Sequence, residues 1–307
     1  MTYHDLIARN RRNSALLVIA FVLFIGLLVG VLGAGLLDSG VRLALPLALA
    51  GSGGAALVAT WSYYGGSAAI LGMSGARKVS RDQDLQLHNV VDELAIGAGV
   101  PAPAVYLIDD TALNAFATGR DPEHASVAIT TGLRQHLSRD ELQAVLAHEL
   151  SHVRHFDIRL AMLLATLVGT VVLITDFSWR SVRYRGMSRG SRSGSRDGGG
   201  GAVLLILAVL LSLAAPVLAR LIQLAASRER EYLADVGAVE LTRNPDAMIA
   251  ALRKLGEDRE VLEVANRATA HLYIVQPIKR WEKRVKGLFS THPPIKDRIR
   301  RIEQLVI

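Results

Sequence analysis

The chain has no cysteine, few aromatic residues, and several long runs without charge. Without thiols there is neither a disulfide framework nor a thiolate metal ligand, so any bound metal must be held by histidine and carboxylate. Aromatics make up 5% of the 307 residues while half are hydrophobic, so the apolar excess is aliphatic. No interleaving of aromatic and basic side chains forms a base-stacking platform. The formal net charge of +7 therefore does not point to nucleic acid as a partner. Ionisable residues are also missing from the middles of four apolar stretches, where a channel or transporter would carry them.

Those stretches are Ser14 to Leu37, Leu43 to Leu71, Leu160 to Phe177 and Ala202 to Leu224. The first is too long for the apolar part of a secretory leader, about 7–15 residues, and reads as a retained anchor. The second carries Pro46 and many glycines, which membrane helices tolerate. The third and fourth are close to the shortest length that spans a bilayer, and read equally as buried core helices. The positive charge crowds beside the spans: Arg9, Arg11 and Arg12 before the first, Arg77, Lys78 and Arg81 after the second. Such charges fix the cytoplasmic side. The lipid bilayer is thus the first expected partner.

The expected organisation has four segments. Residues 1–73 form an N-terminal tail and two membrane helices, and residues 74–158 a first catalytic part. Residues 159–224 form an apolar helical hairpin around the loop 178–200, which is rich in Gly and Ser and holds six arginines. Residues 225–307 form a second catalytic part. Within the first part, apolar residues at helical spacing predict a helix over Asp84 to Ala98. After the break at Pro101 and Pro103, and on either side of the turn-forming segment Gly119 to His124, short strands are predicted at Ala104 to Ile108, Asn114 to Gly119 and Ser126 to Thr130. A long helix starts at Ser138, where Ser138 and Glu141 have capping-box spacing. Downstream, helices are expected from Ala225 through Leu241 and from Pro245 through Leu255.

The chemistry centres on His148-Glu149-Leu150-Ser151-His152, an H-E-x-x-H sequence. On a helix, residues four apart share a face, so both imidazoles reach one ion at Zn–N distances of about 2.0–2.1 Å. Glu149 is turned away from that face, placed to take a proton from an attacking water. Both histidines interrupt the apolar side of the helix among Leu146, Leu150 and Val153, a poor place for an imidazole with no partner. A catalytic zinc site has three protein ligands and an open position. Position 158 is Ile158, which departs from the metzincin pattern. His155 lies two turns from His148, so three ligands from one straight helix would strain a tetrahedron. The better source is Glu231 with Asp235, four apart on a predicted helix. One of them can bind the metal while the other accepts a hydrogen bond from the far nitrogen of a ligating imidazole.

Taken together, four motifs resemble the HtpX family of membrane metallopeptidases, gluzincins related to the CAAX-prenyl proteases. They are Asn114-Ala115-Phe116-Ala117-Thr118-Gly119, the H-E-x-x-H run with Asp157, Glu231-Tyr232-Leu233-Ala234-Asp235, and Phe289-Ser290-Thr291-His292-Pro293-Pro294 with Arg298. The resemblance implies one zinc ion per chain, with Glu231 as third ligand and Asp235 as its outer partner. It implies that Asn114 to Gly119 runs along the cleft beside an edge strand able to pair with an extended peptide. It also places His292 and Arg298 near the site, where a cationic or imidazole donor would serve substrate or oxyanion.

The expected protein is therefore an α+β integral membrane protein of two to four transmembrane helices, with a mainly helical, zincin-like catalytic domain and a small β-sheet. Its expected activity is zinc-dependent endopeptidase cleavage of polypeptides. By the resemblance, the substrates are damaged or misfolded membrane proteins at a bacterial-type inner membrane, and the site of this multi-pass chain faces the cytoplasm. The competing reading is a non-catalytic zinc-binding membrane scaffold. Its signature would be an altered Glu149, and Glu149 is intact.

Overall fold

Two long apolar helices open the chain, α1 (Tyr3–Leu36) and α2 (Val41–Met73). Both are long and apolar enough to cross a bilayer, over Asp5–Gly30 and Arg42–Met73. Leu16, Leu23, Leu27, Leu45, Leu49 and Leu57 face outward, Leu57 with 74% of its surface exposed. A stripe of that size is unsuited to water and suited to lipid. The helices pack antiparallel at small residues: a Cβ on Gly26 would collide with the Ser52 side chain. Pro46 sits inside α2, a position that membrane helices tolerate.

The computed structural model describes residues 3–36, 41–171, 228–258, 260, 262, 269–274 and 293–305. The loop 178–200, the fourth apolar stretch and the end of the third, 172–177, lie outside the described residues.

A mixed sheet follows the membrane helices. It contains β1 (Arg77–Lys78), β2 (Ala104–Ile108), β3 (Ala115–Gly119) and β4 (Ala125–Thr130), in the order β1-β2-β4-β3. β4 runs parallel to β2, with Val105 opposite Val127, and antiparallel to β3, with Ala117 opposite Val127. β3 therefore lies at the edge. Three strands fall within one residue of their expected positions. β1 has only two residues and so shows no period, and α4 (Thr131–His136) is too short to display a helical stripe.

Around the sheet lie α3 (Leu85–Ala98) and α5 (Arg139–Arg154). Asp84 caps α3, and its carboxylate accepts from the Leu87 N–H at 2.9 Å. The expected capping box starts α5: Ser138 Oγ accepts from the Glu141 N–H, and Glu141 accepts from the Ser138 N–H at 2.7 Å. The later helices are α7 (Arg228–Thr242), α8 (Pro245–Glu257) and α9 (Ile295–Glu303), with residues 157–171 helical as α6. One core joins Leu142, Val145 and Leu146 of α5 to Met248 and Leu252 of α8 and Ile302 of α9. The segments before and after the apolar hairpin region thus share one core although some 70 residues of chain separate them.

A second core lies toward the membrane. There Leu160, Leu163, Leu167 and Val171 of α6 are buried with Leu17 and Phe21 of α1, and with Ala55 and Ala59 of α2. The described part of the third apolar stretch is therefore buried in a core it shares with the first two helices.

Candidate active site

Helix α5 is buried along most of its length, so its polar residues need partners. His148 and Glu149 are buried and His152 is half-buried. Helix α7 packs closely across α5, because Gly237 has no side chain; a Cβ there would collide with Ser151 Oγ. That approach brings Glu231 to the two histidines. The Nε2 atoms of His148 and His152 lie 3.3 Å apart, and each is 3.7 Å from a Glu231 carboxylate oxygen. Tetrahedral ligands at about 2.0–2.1 Å from an ion lie about 3.3 Å from one another. The arrangement is close to that spacing.

The other nitrogen of each ring is held by a carboxylate. His148 Nδ1 lies 3.0 Å from Asp235 Oδ1, and His152 Nδ1 lies 3.1 Å from Asp157 Oδ2. An imidazole that donates Nδ1–H outward turns the Nε2 lone pair inward, the tautomer a metal requires. Asp157 reaches His152 because α5 stops at His155 and the chain turns through Phe156, whose φ is 61°. His155 caps the helix and is not among the converging ligand atoms, which come from His148, His152 and Glu231.

Arg298 departs from the expectation of a substrate or oxyanion contact. It is buried, and its guanidinium grips Asp235 with both carboxylate oxygens engaged, Nε to Oδ2 at 2.9 Å and Nη2 to Oδ1 at 2.6 Å. Nη1 donates to the Ile274 carbonyl at 3.1 Å. Arg298 therefore sits on the Nδ1 side of His148, its Nη2 3.4 Å from that nitrogen. Asn114 differs too. It is buried at the entry to β3, its Oδ1 accepting from the Ala115 N–H at 3.1 Å, and Ala117 is the residue of that segment that lines the cleft. His292 lies outside the described residues. Reading the sequence assigned no partner to Asp157 and gave no role to Tyr273 or Asn10. Asp157 carries one signal, an acid five residues after His152, but the turn that makes it useful has no periodicity.

The electrostatics follow from burial among acids. Burial pushes the Glu149 carboxyl up from its ordinary range, against the pull of the His148 and His152 rings and the Ala117 N–H. Burial also raises Asp235, but Arg298 and His148 outweigh it and hold that carboxyl below its usual range. For His152, burial favours the neutral ring. The Asp157 hydrogen bond and the charge of Glu231 overcome it and push the imidazole up to about 9. Glu149, Glu231, Asp157 and Asp235 face the guanidinium groups of Arg298 and Arg230. With neutral imidazoles this leaves two negative charges in excess, which a divalent cation balances.

These side chains open onto a cleft with Ala117 on one side and Leu272, Tyr273 and Ile274 on another. Ile158, Ala161 and Leu164 of α6 form an apolar wall. The Ile274 N–H donates to the Ala115 carbonyl at 3.0 Å, so one outward-facing group of β3 is already paired.

This fold and site, joined to two apolar helices, define a membrane metallopeptidase. Residues 81–306 match the model of Peptidase family M48, and the chain belongs to that family. It is 40% identical to a protease HtpX homolog of Streptococcus uberis over 303 residues, covering 97% of this chain and 98% of the relative. It is 41% identical to the protease HtpX homolog of Tropheryma whipplei over 305 residues, covering 98% of each. The crystal structure of S. mikatae Ste24p aligns at 18% identity and a TM-score of 0.44, over 80% of this chain and 58% of that one.

Proposed function

We propose that this chain is a zinc-dependent endopeptidase whose ion is held by His148, His152 and Glu231. The reading rests chiefly on the convergence of two inward-facing Nε2 atoms and one carboxylate beside a buried Glu149. When bound, the ion supplies Lewis-acid polarisation of a peptide carbonyl and acidifies water. Glu149 takes the proton of the attacking water and passes it to the leaving nitrogen. Its burial suits the first act, since it pushes the carboxyl up from its ordinary range and so favours taking a proton. Asp235 and Asp157 hold the two rings in register, and Arg298 fixes Asp235. A peptide lies extended along β3 near Ala117, with side chains against the apolar wall of α6. The direct test is metal analysis and proteolysis with detergent-purified protein. One zinc per chain is expected, together with cleavage that a chelator abolishes and added zinc restores. A pure, folded protein that holds no metal and cleaves nothing would end the proposal.

Asp235→Asn separates holding the ring from holding the metal. The variant is expected to weaken zinc binding about 10–100-fold, as loss of an outer partner does. Competition against a chelator of known affinity measures it, and an unchanged dissociation constant would remove Asp235 from this role.

The substrates we infer are polypeptides, in particular damaged or misfolded membrane proteins, reached from the cytoplasmic face of a bacterial-type inner membrane. Residues 1–73 anchor the chain, 74–158 and 225–307 form the catalytic unit, and 159–224 supply the remaining apolar hairpin. Glu231 meets His148 and His152, so the chain between them crosses the membrane an even number of times. Two crossings by 160–177 and 202–224 make four spans and put the loop 178–200 outside. The six arginines of that loop favour the alternative, a hairpin that stays on the cytoplasmic side. We favour two crossings, because both stretches are uncharged through their middles and just long enough to span. The absence of native cysteine makes the measurement clean. Single cysteines at Ser193 and Ser290 are exposed to a membrane-impermeant thiol reagent in intact cells. Labelling at 193 with protection at 290 is expected. Protection at both supports the hairpin, and labelling at 290 overturns the cytoplasmic site.

A further inference from the structure

Helix α1 does more than cross the bilayer. Asn10, in its first turns, is buried with 3% of its surface exposed, although it lies 147 residues from the nearest acid it touches. Its Nδ2 donates to the Asp157 carboxylate Oδ1 at 2.7 Å and to the His155 carbonyl at 2.8 Å. An amide nitrogen has two hydrogens, and here each has an acceptor. The other oxygen of Asp157 meets His152 Nδ1, and His152 Nε2 faces Glu231 and His148. Next along the helix, Arg11 lies over the Phe156 ring at 4.5 Å, covering the left-handed residue that lets Asp157 turn back. The acceptor at His155 is a carbonyl at the C-terminus of α5, a group that the helix itself cannot satisfy.

We propose that Asn10 is a positioning residue for the metal site. It fixes Asp157 and the end of α5 so that His152 presents Nε2 to the ion, and it makes metal affinity depend on the seating of a membrane helix. The inference rests on the proposed reading of His152 as a ligand. Asn suits the position because two acceptors, one of them charged, need two donors and no added charge. Aspartate would set a second anion against Asp157, and alanine would leave its Oδ1 to the longer 3.6 Å contact with Arg230 Nε, a looser hold on the carboxylate that orients the ring.

The test measures zinc affinity in full-length, detergent-purified protein by chelator competition. Asn10→Ala is expected to raise the zinc dissociation constant about tenfold, at the low end for outer partners because it acts one contact further out. Arg12→Ala, an exposed neighbour on the same helix, is expected to leave it unchanged. In an Asp157→Asn background, Asn10→Ala is expected to add less than about threefold, because the contact it acts through is already weakened. A residue that merely tethers α1 would lower yield or thermal stability without moving the zinc constant. Should Asn10→Ala fail to accumulate, Asn10→Ser, which keeps a single donor, gives the same reading. Unchanged zinc affinity in the folded variant, or a full tenfold loss in both backgrounds, overturns the proposal. Wild-type protein that binds no zinc would instead overturn the reading of the site on which it rests.

Discussion

Glu149→Gln is expected to retain its zinc and to lose about 10²–10⁴-fold in cleavage rate. Glutamine has nearly the shape of glutamate, so the buried position stays filled and the two imidazoles are undisturbed. An amide oxygen still accepts from the Ala117 N–H, one of the interactions that place this side chain. The capacity to take a proton is lost. Burial raises the native carboxyl toward neutrality, whereas an amide does not titrate in this range at all. Zinc content by elemental analysis and turnover of an unfolded polypeptide, measured on the same preparation, check the result. Cleavage near the native rate would mean that another group accepts the proton, and the assigned mechanism would be wrong.

Glu231→Ala is expected to empty the site. The proposed ligands are two histidines from α5 and this one carboxylate from α7, whose atoms converge. Losing a direct ligand exceeds the effect of losing an outer partner, so the affinity should fall by more than about 100-fold. Glu229→Ala is the matched control, since Glu229 is exposed on the same turn, and it should bind zinc normally. Bound zinc after gel filtration distinguishes the two variants. A normal zinc content in Glu231→Ala would remove this residue from the ligand set.

Much of the architecture around α5 was legible because local signals agreed. The capping box set the start of α5, Pro and turn residues bounded β2, β3 and β4, and Pro245 marked the start of α8, which the Asn244 side chain caps at the Ala247 N–H. The spacing of His148, Glu149 and His152, and that of Glu231 and Asp235, follows from helix geometry alone. The contacts that complete the site are of another kind. Asp157 reaches His152 through a left-handed Phe156, a conformation that carries no signature in an aromatic residue. Asn10 and Arg298 are brought to their acids across 147 and 63 residues, and no pattern along the chain pairs them. Arg298 shows why residue type alone misleads. A cation near a peptidase site suggests an oxyanion partner, yet the nearest buried carboxylate, Asp235, binds it in both oxygens. The third apolar stretch was ambiguous for a related reason, because composition does not distinguish a lipid neighbour from a protein one.

The contact between Ile274 and Ala115 has a consequence for what such a cleft can grip. Only the outward-facing groups of a strand edge can receive a guest chain, and on β3 one of them is already paired. The Ala117 N–H is turned to Glu149. Among the described residues, a guest held by the groups of β3 that remain gains about two or three backbone bonds, each worth about 0.5–1.5 kcal/mol. That is too little to pull a stretch of sequence out of a stable helix or sheet, and it reads no particular side chain. On the proposed reading of the site, selection would then be conformational: a segment already slack enough to lie straight enters, and a stably folded one is spared by its own stability.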